Sequence, residues 1–175
     1  MTTPSVGILE AQNRVVEVLT GAEFAADLVA ARLKYAMDYA ELPPPSGEGI
    51  DVFRFETLEG NAWPVFMVPF DRHVYTQWGS ANIATVEFFF KFIVGCRVDG
   101  GQFPRALRMC QAYMDAAAAT ITRAMRQTGA NANIFDSKPI ESSMGAALAS
   151  TAGDSIVQFG SITFSLRAKT STETV

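Results

Sequence analysis

Hydrophobic and polar positions alternate most regularly over 85–98, where Val86, Phe88, Phe90, Phe92, Val94, Cys96 and Val98 share one face. Thr85, Glu87, Lys91 and Arg97 lie on the other, with Phe89 and Ile93 among them. Side chains on a strand alternate with period two, so this pattern predicts a long, half-buried strand whose aromatic face lies on something apolar. After the turn Asp99-Gly100-Gly101, the stretch 103–127 reads as one long helix. At about 100° per residue, Leu107, Cys110, Met114, Ala118, Ile121 and Met125 converge on one side of it, the expected core face.

Two helices are predicted upstream. Thr3 before Pro4 marks the start of the first, with Ile8, Leu9, Val15, Val16 and Leu19 as its apolar stripe. Thr20-Gly21-Ala22-Glu23 has the spacing of a capping box and predicts a second helix over 22–39. That helix is apolar around most of its circumference and is expected to be buried on more than one side. The prolines at 43–45 end it, because proline removes a donor and pushes the preceding residue to extended geometry.

Strand-like runs at 50–56 and 63–68, separated by Glu59-Gly60-Asn61, suggest a hairpin. Residues 69–81 hold His73, Tyr75 and Trp78 without a clean period and read as an irregular loop. The stretch 130–153 offers only a weak strand near 133–135 or 138–141. A second long amphipathic strand spans 156–169, with Ile156, Gly160, Ile162, Phe164, Leu166 and Ala168 on one face. The expectation is a single α+β domain over 1–169, with a mostly antiparallel sheet packed on a long amphipathic helix and additional N-terminal helices. Residues 170–175 are expected to be a flexible tail.

Composition narrows the function classes. The 175 residues are 49% hydrophobic and only 18% charged, below the roughly 25% typical of soluble domains, which suggests surface hidden in an assembly. A formal charge of -4 and a pI near 5.0 argue against a protein that grips phosphate backbones. Cys96 and Cys110 fall on core faces and read as buried free thiols. With one histidine and no Cys-x-x-Cys, neither a metal nor another cofactor is expected. No basic region followed by an apolar run opens the sequence, and no apolar run reaches membrane-spanning length.

No catalytic constellation is expected either. Asp71 and His73 lie close in sequence, but nothing supplies an oriented nucleophile or an oxyanion site. Gly100-Gly101 lacks the spacing of a phosphate loop. The Phe88-Phe89-Phe90-Lys91-Phe92 cluster lacks the basic surround of an RNA-stacking sheet. On the long helix, Arg105, Arg108, Arg123 and Arg126 bracket Ala112, Ala116 and Ala119. Two readings stand for this face. Small side chains admit close approach of a neighbouring subunit, with the arginines binding its carboxylates; equally, alanine is simply the best helix former.

The order of elements resembles the tail terminator, or tail completion, proteins of long-tailed bacteriophages. The likeness lies in the N-terminal helix, the segment Trp63-Pro64-Val65-Phe66-Met67-Val68, the strand 85–98 and the closing strand 156–169. It includes the helix with Arg108-Met109-Cys110-Gln111-Ala112-Tyr113-Met114-Asp115-Ala116, similar to that family's Tyr-containing amphipathic helix. The helix at 22–39 and the proline loop at 42–47 make this chain longer than the compact members. The resemblance implies a non-enzymatic virion protein of the tail or neck, made in the host cytoplasm. It further implies a homo-oligomeric ring, a hexamer, that caps the tail tube and meets tail tube and head-side connector proteins, with DNA only as passing cargo. Another neck or head-completion ring protein shares the same physics. A small-molecule-binding or enzymatic α+β domain would need a pocket, for which Tyr75, Trp78 and His73 are candidate lining residues.

Overall fold

A computed structural model of the chain describes residues 6–38, 40–45, 50–51, 63–78, 83–100, 102–125, 133–149 and 154–171. Its elements are α1 (Ile8–Thr20), α2 (Ala22–Tyr35), β1 (Ile50–Asp51), β2 (Val65–Met67), β3 (Phe70–Trp78), β4 (Ile83–Asp99), α3 (Phe103–Ala124), β5 (Ile134–Met144), β6 (Leu148–Ala149) and β7 (Ser155–Ser171). The fold is α+β: three helices lie against one face of a seven-stranded sheet that is antiparallel except where β1 meets β2.

The long alternating strand extends a little beyond 85–98. β4 pairs with β7 in unbroken register, from Ile83 opposite Ser171 to Asp99 opposite Ser155. Thr170 and Ser171, placed in the tail by sequence, therefore belong to the ladder. Each of Val86, Phe88, Phe90, Phe92, Val94, Cys96 and Val98 is buried, together with Ile162, Phe164, Leu166 and Ala168 of β7. Phe92 is the centre of this core: Phe66 stacks on it with centroids 6.0 Å apart, and Phe24 meets it edge-on at 6.5 Å.

Several local expectations are corrected. Runs 50–56 and 63–68 form no hairpin between their described parts, because β1 and β2 pair in parallel. Residues 70–78 are a strand, not an irregular loop, and pair with β4 through two irregular steps, at Phe70/Arg72 and Tyr75/Gln77. Those steps shift the side-chain alternation and hide the strand period. β5 is likewise a full strand, with register shifts at Ile134/Asp136 and at Pro139/Glu141. The capping box does not form: Gly21 is the N-cap without a side-chain hydrogen bond, while the Thr20 hydroxyl donates back to the Val16 carbonyl at 2.9 Å. Thr3 and Pro4 lie outside the described residues.

α2 is not buried on several sides. It buries Phe24, Leu28 and Ala31, whereas Val29 and Leu33 are exposed. The doubly covered helix is α3. Its sheet side is marked by Cys110, whose thiol donates to the Gln158 carbonyl at 3.1 Å. Its other side is covered by α2, so Ala112, Ala116, Ala117 and Thr120 are buried as well. Leu107 and Ala118, expected in the core, are only partly buried.

Among the described residues β3 and β5 each pair on one side only, beside β4 and β7 respectively. Antiparallel pairing at every step from β3 through β4 and β7 to β5 makes these two strands run in opposite directions.

Candidate subunit-contact surfaces

The alanine face of α3 is filled from within the chain. Ala112 is 0% and Ala116 2% exposed, and the polar residues around them bind α2. Arg123 donates to Asp27 at 2.6 Å and lies 3.6 Å from Glu23. The Thr120 hydroxyl reaches the same Asp27 oxygen at 2.5 Å. Hydrogen bonding to Asp27, then its charge, raises the Arg123 guanidinium above its ordinary value. Further along, Asp115 accepts from Lys34 and from the Tyr35 hydroxyl. Its hydrogen bond holds the Lys34 ammonium above its usual range, and burial raises the Tyr35 phenol.

The close approach that alanine permits is therefore used by α2, and Ala112 and Ala116 cannot touch a neighbour while α2 is in place. Arg105 pairs with Glu41 at 2.5 Å, beside a cleft of about 420 Å3 whose lining includes Trp63, Arg97 and Met109. Arg108, Ala119 and Arg123 are the exposed members of the expected set, and of these Arg123 is held by Asp27 and Glu23 of α2. Arg126 lies outside the described residues. Arg108, Asp115 and Ala119 form one open strip along α3.

Beside that strip is a groove of about 550 Å3 between α3 and β5. Met114, Ala118, Met144 and Ile162 contribute its apolar walls, Ile140 stands exposed at its edge, and Asp115 and Glu141 are acidic members of its lining. β5 bounds it as an edge strand whose residues 138–143 are all exposed.

The opposite edge carries an aromatic cluster. Phe70, His73 and Tyr75 of β3 pair with Phe90, Phe88 and Val86, the helix-side residues of β4. His73 stacks on Phe70 with centroids 6.0 Å apart and meets Tyr75 edge-on at 5.4 Å. His73 and Tyr75 are nevertheless exposed. Asp71 pairs with Arg72 at 2.9 Å, and Arg72 lies over the Phe89 ring, so Asp71 points to a partner other than His73. His73 and Tyr75 line none of the clefts described above. The sequence does carry this aromatic face, but the irregular steps obscure it.

Cys96 and Cys110 are free and buried. Burial, then the neighbouring Cys110, pushes the Cys96 thiol well above its ordinary value, which keeps it protonated and unreactive. Among the described residues no group of three His, Cys, Asp or Glu side chains could hold a metal ion. No described helix is long and apolar enough to cross a membrane. Among the described residues these surfaces offer binding area: two strands paired on one side only, a groove with apolar walls and a polar rim, and exposed aromatics.

No protein-family model and no curated protein matches the chain. Among solved structures, a chain of the virion of a native gene transfer agent (GTA) particle is similar at 15% identity, covering 90% of this chain and 93% of that one, with a TM-score of 0.43.

Proposed function

We propose that this chain is a structural virion subunit that assembles into a homo-oligomeric ring, caps a phage-type tail tube and joins it to the head-side connector. The observation that carries the reading is that β3 and β5, each paired on one side only among the described residues, run in opposite directions. A subunit with two different complementary edges can bind head to tail, and such contacts close into rings when the rotation between copies is right. Isolated edge strands are otherwise a liability that proteins cover or blunt. From the expected set of contact residues we place Arg108 and Ala119, exposed on the strip beside the groove, next to the subunit adjoining β5. Binding would be stoichiometric, without chemistry, and DNA would pass through as cargo.

Electron microscopy of the purified protein, alone and mixed with tail tubes, tests this. Rings, six-fold by the resemblance, seated on tube ends and halting tube growth are the expected result. A protein that stays monomeric in both conditions overturns the reading. Rings that form but sit elsewhere in the neck favour a head-completion role.

A further inference from the structure

We infer that β3 of one copy adds to the β5 edge of the next, placing Phe70 and His73 in the groove between β5 and α3 with Tyr75 at its end. This rests on the ring reading and names the contact that would build it.

Four observations lead there. The first is position: the groove lies on the helix side of the sheet between α3 and β5, bordered by the exposed β5 residues 138–143, so one more strand beside β5 would turn its helix-side side chains toward it. The second is sidedness, since Phe70, His73 and Tyr75 share the face of Phe88 and Phe90, and a sheet continued into a neighbour carries that face onto the groove. The third is direction. β3 and β5 run oppositely, so a neighbour related by rotation within a ring meets β5 in the antiparallel sense.

The fourth is charge. Arg72 pairs with Phe89 and Glu141 with Thr163, itself opposite Lys91, so the register assigns both to the face away from the helices, with Glu141 also bordering the groove beside the irregular step after Pro139. An antiparallel register that sets Arg72 of one copy across from Glu141 of the next joins opposite charges. The same register sets Phe70 beside Ser142 and His73 beside Pro139, both of which line the groove. It also displaces each copy along the strands, from the level of Phe89 to that of Lys91, and a closed set of tilted strands requires such a stagger. Pro139 supplies no donor, which weakens the bare β5 edge and makes the aromatic filling of the groove part of the contact.

Sedimentation velocity of the full chain, alone and with tail tubes, decides the matter through charge reversal. Arg72→Glu and Glu141→Arg should each lower the assembled fraction about tenfold, because like charges then face one another. The combined variant should recover assembly, while all three melt like the parent. His73→Ala should weaken assembly without this rescue. If the parent assembles and the single reversals assemble equally well, or the combined variant fails to recover, this contact is wrong and the ring reading stands. If the parent never assembles, both fall.

Discussion

The Tyr113 hydroxyl donates to the Pro43 carbonyl at 2.6 Å, fastening the middle of α3 to the proline segment that follows α2. The ring is buried, meeting Phe66 edge-on at 5.0 Å. Burial, then the neighbouring Cys96, raises the phenol well above its ordinary value of 10.0, against the opposing charge of Arg32. The folded protein therefore keeps this proton where the unfolded chain releases it. Stability should fall as pH rises past about 10, since the unfolded state then binds fewer protons. Tyr113→Phe should lose about 1 kcal/mol at neutral pH for the missing hydrogen bond, yet show a shallower alkaline decline. Urea midpoints across that range would measure both effects.

Phe90 is fully buried, stacked at 5.9 Å on Phe164 from the paired strand and touched by Phe70. Truncation leaves a cavity the stiff ribbon cannot collapse around. Phe90→Ala should cost about 3–5 kcal/mol, and a denaturant titration showing a near-neutral change would refute the packing.

Ala116 decides between two accounts of one helix face. At a subunit contact, a glutamate there would spare the fold and weaken assembly. Beneath α2, Ala116→Glu should destabilise the subunit itself, on the order of several kcal/mol, because the charge has neither water nor a partner. The exposed Ala119→Glu should stay within about 0.5 kcal/mol. Thermal melting of the two variants side by side is the check.

Gly95 lies on the sheet face away from the helices, where Trp63 and Phe159 meet edge-on at 6.4 Å. A Cβ there would come within 2.7 Å of the Phe159 ring and 2.9 Å of a Val65 methyl. Gly95→Ala should cost about 1–3 kcal/mol through overpacking, read as a lowered melting temperature.

Much of this fold was legible because β4, β7 and α3 carry uninterrupted periods. Wherever a single step broke the period, reading failed. The irregular steps flanking Arg72 and Gln77 disguised β3 as a loop, and the shift after Pro139 did the same to β5. Helix faces failed for a different reason. Periodicity measures how apolar a face is, but coverage depends on what packs there, so apolar Leu33 is exposed while Ala112 is sealed. The groove joins Met114 to Met144 across the chain, and no local pattern announces such a pairing.

The β4–β7 ribbon has a consequence in time. Asp99 must find Ser155 and Ile83 must find Ser171, with α3 and β5 lying between them in sequence. Non-local pairing of this kind incurs loop-closure entropy before contacts repay it, and it folds slowly. During that interval Phe88, Phe90 and Phe92 lack the strand that flanks them in the finished sheet. Closing the central ribbon is thus a slow step, and the subunit is open to misassociation for as long as β7 has not covered that edge of β4.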